Sequence, residues 1–250
     1  MTMAELAIAR LREFEPSEGY YLAFSGGKDS VVLKALADAA GVKYDAHYSV
    51  TTIDPPELVR FIRKHHPEVH WERPSKPFLV RLPEKGFPLR QRRWCCEEYK
   101  EQGGTGRVVL TGIRAAESAR RGKRRMVEAC MKDPSKRYVH PIIDWDEEKV
   151  WRYIRTENIP YCDLYDNGFK RIGCLFCPMQ YYKRRQHEVR MYPRYAAAFR
   201  KAFRKLHATG RASMQRWADG DAMFDWWIGD GLDGEGQQFM HFDSEEEAAR

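Results

Sequence analysis

The 250-residue chain contains no uninterrupted apolar run of 18 or more residues, so no helical membrane span is expected. Its opening, MTMAELAIARLREFEP, carries Glu5 early and lacks the apolar stretch of a secretory leader. Together these absences lead to the expectation of a cytoplasmic protein with no membrane partner. There is no internal repeat, no long linker and no GxxxxGK[ST] phosphate loop. No cysteine follows Cys177. Acids are scarce in the middle of the chain. Residues 113–137 hold nine Lys/Arg against three acids, and 169–206 hold eleven against Glu188 alone. Over 230–250 the sign reverses, with seven acids and only Arg250, although the net charge is +7. A basic middle with an acidic tail points to an anionic partner, either phosphates or a nucleic acid. The same charges also fit a solvated helix face.

What is present alternates between strand and helix signals. YYLAF (20–24) reads as a buried strand, 29–40 as a helix, YDAHYSVT (44–51) as a strand and PPELVRFIRKHH (55–66) as a proline-started helix. VHWERP is a short strand, and KPFLVRLPEKG is a helix or loop broken by Pro83 and Gly86. RVVLTGI (107–113) and RYVHPII (137–143) add two strands, and DWDEEKVWRYIRTENI starts as a helix with acids in its first turn. Such alternation predicts an α/β fold, a mostly parallel sheet with helices on both faces. From 161 a cysteine-bearing loop leads into a basic helix whose Phe199, Ala202, Phe203 and Leu206 share one face. Phe224, Trp226 and Trp227 are expected to dock the last helix. The expected division is a nucleotide-binding domain over 1–160, a cysteine loop with a helical C-terminal region over 161–232, and an acidic tail over 233–250.

The strand-to-helix turn Ser25-Gly26-Gly27-Lys28-Asp29-Ser30 has the make-up of a phosphate cradle. Its glycines let backbone N–H groups approach an anion at a helix N-terminus. Lys28 adds charge, and Ser25 and Ser30 add hydroxyl donors. Asp29 would either cap the helix or help hold Mg²⁺. Six cysteines, at 95, 96, 130, 162, 174 and 177, include a tandem pair and a Cys-x-x-Cys. In a reducing compartment these point to metal or redox chemistry.

SGGKDS resembles the PP-loop of the adenine nucleotide alpha-hydrolase superfamily, whose members split ATP between its α- and β-phosphates or bind adenylyl sulfonucleotides. LTGIRAAESARRG (110–122) and HPIIDWDEEKVWRYIRTENIPYCDLYDNGFKRIGCLFCPM (140–179) are similar to later motifs of the phosphoadenosine phosphosulfate reductase family, in that family's order. The resemblance covers roughly residues 18–180. It implies a nucleotide site at Ser25–Ser30 with Arg114, Ser118 and Arg120 around the phosphates, Arg114 being the first choice for a phosphate contact. It also implies the family's iron–sulfur branch, with a [4Fe–4S] cluster on Cys95, Cys96, Cys174 and Cys177. Zinc remains the alternative metal, and Cys130 or Cys162 could replace Cys95. Two departures stand out. The reductases attack with a cysteine in a C-terminal Glu-Cys-Gly-Leu-His tail, which is not found here, and they usually lack the loop lysine. The resemblance therefore implies an ATP-splitting enzyme with Lys28, Asp29 and Arg114 as its catalytic residues, adenylating a substrate for sulfur transfer. Its partners would be a nucleic acid and a sulfur donor protein. Tyr181, Tyr182, Tyr192 and Tyr195 would either stack on bases or pack within helices. A sulfonucleotide reductase using thioredoxin, and a non-catalytic subunit of a modification complex, are the alternatives.

Overall fold

The computed structural model describes residues 2–229; the acidic tail expected over 233–250 lies outside the described residues. Two compact units divide the chain. The first comprises the chain up to Val50, Pro55–Arg73 and Gln102–Ile172; the second comprises Thr51–Asp54, Pro74–Glu101 and the chain from Gly173 onward.

The first unit is the α/β unit. Helix α1 (Met3–Glu13) starts with a capping box in which Thr2 and Glu5 satisfy each other's N–H groups. Strand β1 (Tyr20–Ala23) feeds helix α2 (Lys28–Ala40), which stops at Gly41 in the left-handed region. Strand β2 (Tyr44–Ser49), helix α3 (Pro56–His65) and strand β3 (His70–Glu72) follow. Farther along the chain come strand β4 (Val108–Leu110), the short helix α6 (Ala119–Gly122), strands β5 (Val127–Ala129) and β6 (Arg137–Val139), and helix α7 (Glu147–Thr156). Asp146 caps α7, its carboxylate accepting the Lys149 N–H.

The six strands lie in the order β3-β2-β1-β4-β6-β5. All pairings are parallel except β5 on β6. Register explains the core: Ala46, Leu22, Leu110 and Val139 stand side by side on four adjacent strands, and all are buried. On the next row Asp45, Tyr21, Val109 and Tyr138 align. The mostly parallel sheet thus agrees with the alternation in the sequence. The antiparallel β5 was not anticipated, because three residues beside a run of arginines carry no periodic signal.

The second unit is helical. It contains α4 (Phe78–Lys85), α5 (Trp94–Lys100), α8 (Tyr182–Met191), α9 (Pro193–His207) and α10 (Gly220–Ile228). Its core is aromatic. Phe78, Phe199, Phe203, Phe224 and Trp227 are all buried, with Phe199 and Trp227 stacked at 5.8 Å between centroids. The expected face of α9 is buried as predicted, and Phe224 and Trp227 anchor α10. Tyr192 is buried in this core and Tyr195 packs against it, so these two are packing residues rather than base-stacking ones; Tyr181 is exposed.

The domain boundary expected at 160 falls instead after Ile172, because residues 161–172 are tied by hydrogen bonds to the turn after β1. Residues 74–101, expected within the first domain, belong to the helical unit because Phe78, Leu82 and Tyr99 enter its aromatic core. No helix among the described residues is long and apolar enough to cross a membrane.

Candidate functional site

The turn after β1 sits where the strand order departs in two directions, to β2 on one side and β4 on the other. Ligands of open α/β sheets bind at such a switch point, at the carboxyl ends of the strands. Gly26 has φ +70°, and a Cβ there would lie 2.7 Å from Leu58 Cδ1 on α3. Both the backbone conformation and the available space therefore require glycine. Ser30 closes the turn: its hydroxyl accepts the Ser25 N–H at 3.2 Å and donates to the Gly27 carbonyl at 2.9 Å. Gly27 is the helix cap and no side chain caps α2, so the capping role considered for Asp29 is not the one it plays.

Lys28 is buried at the first position of α2. Its ammonium donates to the Lys170 carbonyl at 2.9 Å and lies 3.7 Å from Glu147 and 4.0 Å from Asp29. Its backbone N–H donates to the Tyr165 hydroxyl at 2.8 Å, and the ammonium stands 5.4 Å from the centre of the same ring. Burial pushes the Tyr165 phenol well above its usual range, so the hydroxyl stays protonated. The Asp29 carboxylate accepts the Arg114 Nε–H at 2.7 Å. Arg114 itself is 96% buried, since only 4% of it is exposed. This close approach needs Gly112, where a Cβ would sit 2.8 Å from the Asp29 carbonyl oxygen.

Five loop residues, Asp29 and Arg114 are thus gathered at one sheet edge. The contacts do not bring Ser118 or Arg120 to the turn. The Ser118 hydroxyl caps α6, accepting the Arg121 N–H at 3.3 Å, and Arg120 is exposed. Sequence reasoning missed Tyr165, Glu147 and Gly112. Tyr165 lies in the quoted Leu-Tyr-x-x-Gly stretch, but its partner Lys28 is 137 residues away.

The four expected metal ligands all belong to the helical unit, whereas Cys130 and Cys162 belong to the α/β unit. The Cys130 Sγ accepts from the Tyr138 hydroxyl at 3.8 Å, and Cys162 is fully buried. Cys95 and Cys96 lie in the first turn of α5. The turn from Cys174 to Cys177 is held from several sides. The Leu175 N–H donates to the Ile53 carbonyl at 2.9 Å. Gln180 donates its N–H to the Cys177 carbonyl at 2.9 Å and its side-chain amide to the Cys174 carbonyl at 3.3 Å. Phe176 has φ +56°, and its N–H donates to the buried Glu188 carboxylate at 2.7 Å.

Electrostatics tie the four together. A hydrogen bond from Cys95, with Lys100 and Arg93 nearby, holds the Cys96 thiol down at about 6, while the same bond pushes Cys95 up. Burial, with the charge of Cys174, pushes Cys177 up to about 11. The charge of Cys174 raises Lys100. Among the described residues no three His, Cys, Asp or Glu side chains are grouped to hold a metal ion. A cubane cluster asks for something different, one thiolate for each of four irons. The donor set has the chemistry for that demand: four cysteines lie in one unit, and the charges of the others act on Cys95 and Cys177.

The basic segments divide in the same way. On and after α6, Arg120, Lys123, Arg124 and Arg125 are exposed. In the C-terminal helices much of the positive charge is committed internally. Arg185 is buried, Arg184 pairs with Glu188, and Arg200 and Arg204 pair with Asp221 and Asp225 on α10.

Residues 19–180 match the model of the phosphoadenosine phosphosulfate reductase domain. The chain belongs to this family. An uncharacterized protein of Methanocaldococcus jannaschii is 31% identical over 170 residues, covering 63% of this chain and 35% of that relative. The adenosine 5'-phosphosulfate reductase of Oceanobacillus iheyensis is 30% identical over 153 residues, covering 58% of this chain and 62% of that enzyme. The chain therefore spans between about a third and three-fifths of the length of these two relatives. Among solved structures, the phosphoadenylyl-sulfate reductase of Candida auris, a phosphate complex, has a TM-score of 0.54 at 19% identity, covering 71% of this chain and 90% of that one. The FMN adenylyltransferase of Candida glabrata with FMN and an ATP analogue has a TM-score of 0.51 at 15% identity, covering 69% and 63%. At these identities the likeness is one of fold. For this member of the reductase-domain family, it agrees with the mostly parallel α/β fold read from the sequence.

Proposed function

We propose that this family member splits ATP to AMP and pyrophosphate, adenylating a substrate oxygen for sulfur transfer. The observation that carries this reading is Lys28. It is a buried ammonium at the N-terminus of α2 in the phosphate-cradle turn, with its nearest carboxylate oxygens 3.7 and 4.0 Å away rather than in hydrogen-bond contact. A cation placed there stabilises the charge that develops as pyrophosphate leaves. In the proposed reaction the acceptor oxygen attacks the α-phosphorus. The bond to the α,β-bridging oxygen breaks and pyrophosphate departs with its electron pair. A sulfur donor then displaces AMP. Arg114 orients Asp29, the carboxylate of the turn that would meet the Mg²⁺ carried by ATP. The exposed arginines on and after α6 support a nucleic acid as the acceptor, through phosphate contacts.

Cys95, Cys96, Cys174 and Cys177 would hold a [4Fe–4S] cluster, whose chemistry there is electron transfer or binding of sulfur. The chain's own part is to supply thiolates, beginning with Cys96, and to fix the Cys174–Cys177 turn through Glu188 and Gln180.

Product analysis tests the proposal. With ATP, Mg²⁺, a nucleic acid as acceptor and sulfide as sulfur donor, AMP and pyrophosphate in equal amounts are expected; ADP with phosphate, or no turnover, would overturn it. The names of relatives near 30% identity favour a second reading, reduction of an adenylyl sulfate. Sulfite released from adenosine 5'-phosphosulfate by reduced thioredoxin, with ATP left intact, would establish that reading instead. Inertness in both assays would leave the third, a nucleotide- and cluster-binding subunit.

A further inference from the structure

Residues 161–172 reach the nucleotide turn at two points, and both contacts fall on Lys28. The Tyr165 hydroxyl accepts the Lys28 backbone N–H at 2.8 Å, and the Lys170 carbonyl accepts a hydrogen bond from the Lys28 ammonium at 2.9 Å. In the first turn of α2 the Ser30 and Val31 N–H groups close on the Gly27 carbonyl, at 2.9 and 3.1 Å. The Lys28 N–H points out of the helix instead, as the first donors of a helix do. A phosphate at a helix N-terminus takes such donors. Here a phenol oxygen takes it. The same oxygen would stand 3.4 Å from a Cβ on Gly27, so it lies against the backbone of both residues.

The segment is built so that this side chain can leave without unfolding its backbone. The Tyr165 N–H donates to the Cys162 carbonyl at 3.1 Å, and the Gly168 N–H donates to the Tyr165 carbonyl at 3.2 Å. Cys162, Leu164 and Phe169 anchor the segment by burial. Tyr165 is only half-buried, and residues 166–168 beside it are exposed. Its ring meets Trp151 of α7 edge-on, at 5.1 Å between centroids. Burial keeps the phenol protonated and therefore neutral. A charged phosphate oxygen is a stronger acceptor for an N–H than a neutral hydroxyl, so it wins the competition. Resting on the reading of this turn as the nucleotide's phosphate site, we propose that Tyr165 is a specificity-determining latch. Its hydroxyl holds the place of a phosphate oxygen on the Lys28 N–H, and only a ligand that brings a phosphate displaces it. A nucleoside without phosphates offers that N–H nothing better, and the latch stays closed.

The test uses the full chain. Binding of α,β-methylene ATP, inorganic pyrophosphate and adenosine is measured by calorimetry with Mg²⁺, for wild type and Tyr165→Phe. The variant keeps the ring and loses the competing oxygen. It should bind the two phosphate ligands roughly two- to tenfold more tightly, the net contribution of one such hydrogen bond, and adenosine no differently. Equal or weaker binding of the phosphate ligands overturns the latch and leaves the phosphate site standing. A change of the same size for adenosine also overturns it, because a merely structural tyrosine would act on all three ligands alike. In the wild type the phosphate ligands should change the emission of Trp151, read as the difference from Trp151→Phe, and adenosine should not. If the Tyr165→Phe variant does not fold, an unchanged Trp151 signal at saturating α,β-methylene ATP overturns the latch equally. If neither wild type nor variant binds a phosphate ligand, the latch and the nucleotide reading fall together.

Discussion

Lys28 is held by three neighbours of different kinds: a carbonyl for its ammonium, a phenol for its backbone and an aromatic face beside its charge. None of these carries a charge, and the carboxylates of Glu147 and Asp29 stand off at 3.7 and 4.0 Å. Replacing Lys28 by Ala should therefore lower ATP turnover by far more than it weakens nucleotide binding, because the charge matters most in the transition state. Binding measured by calorimetry and turnover measured by pyrophosphate release would separate the two; equal losses would contradict the role. Tyr165→Phe keeps the ring and removes the acceptor of the Lys28 N–H. A stability loss of about 1–3 kcal/mol is expected if that donor is left unsatisfied, read from urea unfolding. A turn that rebinds the N–H to water would show no loss. Arg114→Lys keeps the charge but loses the Nε–H that fixes Asp29. Turnover should fall while the fold persists, and an unchanged rate would remove Arg114 from the mechanism. The turn residues were legible in sequence because they are contiguous, and glycine, lysine and serine each have a chemical reason there. The Arg114–Asp29 pair was only half legible, since the two residues are 85 positions apart and the motif names the arginine without its partner.

The elements reward local reading unevenly. A strand followed by a glycine turn and a helix is written in neighbouring residues, so β1 and α2 appear within one residue of their expected bounds. Strand β5 is invisible in sequence because its pairing with β6 is set by the tertiary structure and not by any alternation of its own. The aromatic stripe of α9 was legible by its spacing, and its energetic weight follows from burial. Phe199 is completely buried among Phe78, Phe176 and Trp227, so Phe199→Ala should cost about 3–5 kcal/mol. A denaturant midpoint close to wild type would mean that this core collapses around the gap. The Cys174–Cys177 turn is braced from outside the motif, by Ile53, Gln180 and Glu188, and no spacing rule in the sequence announces those braces. Cys174→Ser should lose iron on purification, whereas Cys162→Ser should keep it; the reverse pattern in an iron assay would reassign the ligands.

For the molecule as a whole, acid sensitivity is built into the α/β unit. Burial holds His66 and His140 at about 4, below the usual 6.5. Both are therefore neutral in the folded state, while the unfolded chain takes up protons below pH 6.5. Their stabilising effect is complete above pH 6.5 and is lost as the pH falls toward 4, on the order of 3 kcal/mol for each by that point. Thermal melts from pH 7 to 4.5 should decline, and His140→Gln should flatten the decline; an equal slope in that variant would exclude His140 as a cause. The division into units was the part least legible in sequence, because the helical unit is assembled from three separate stretches of chain. That discontinuity has a consequence for biosynthesis. Cys95 and Cys96 leave the ribosome 79 and 78 residues ahead of Cys174. At roughly 5–20 residues per second they wait about 4–15 s before their partners exist. During that interval two adjacent thiols would be open to oxidation, so the yield of intact protein should depend on how reducing the cell is while the chain is being made.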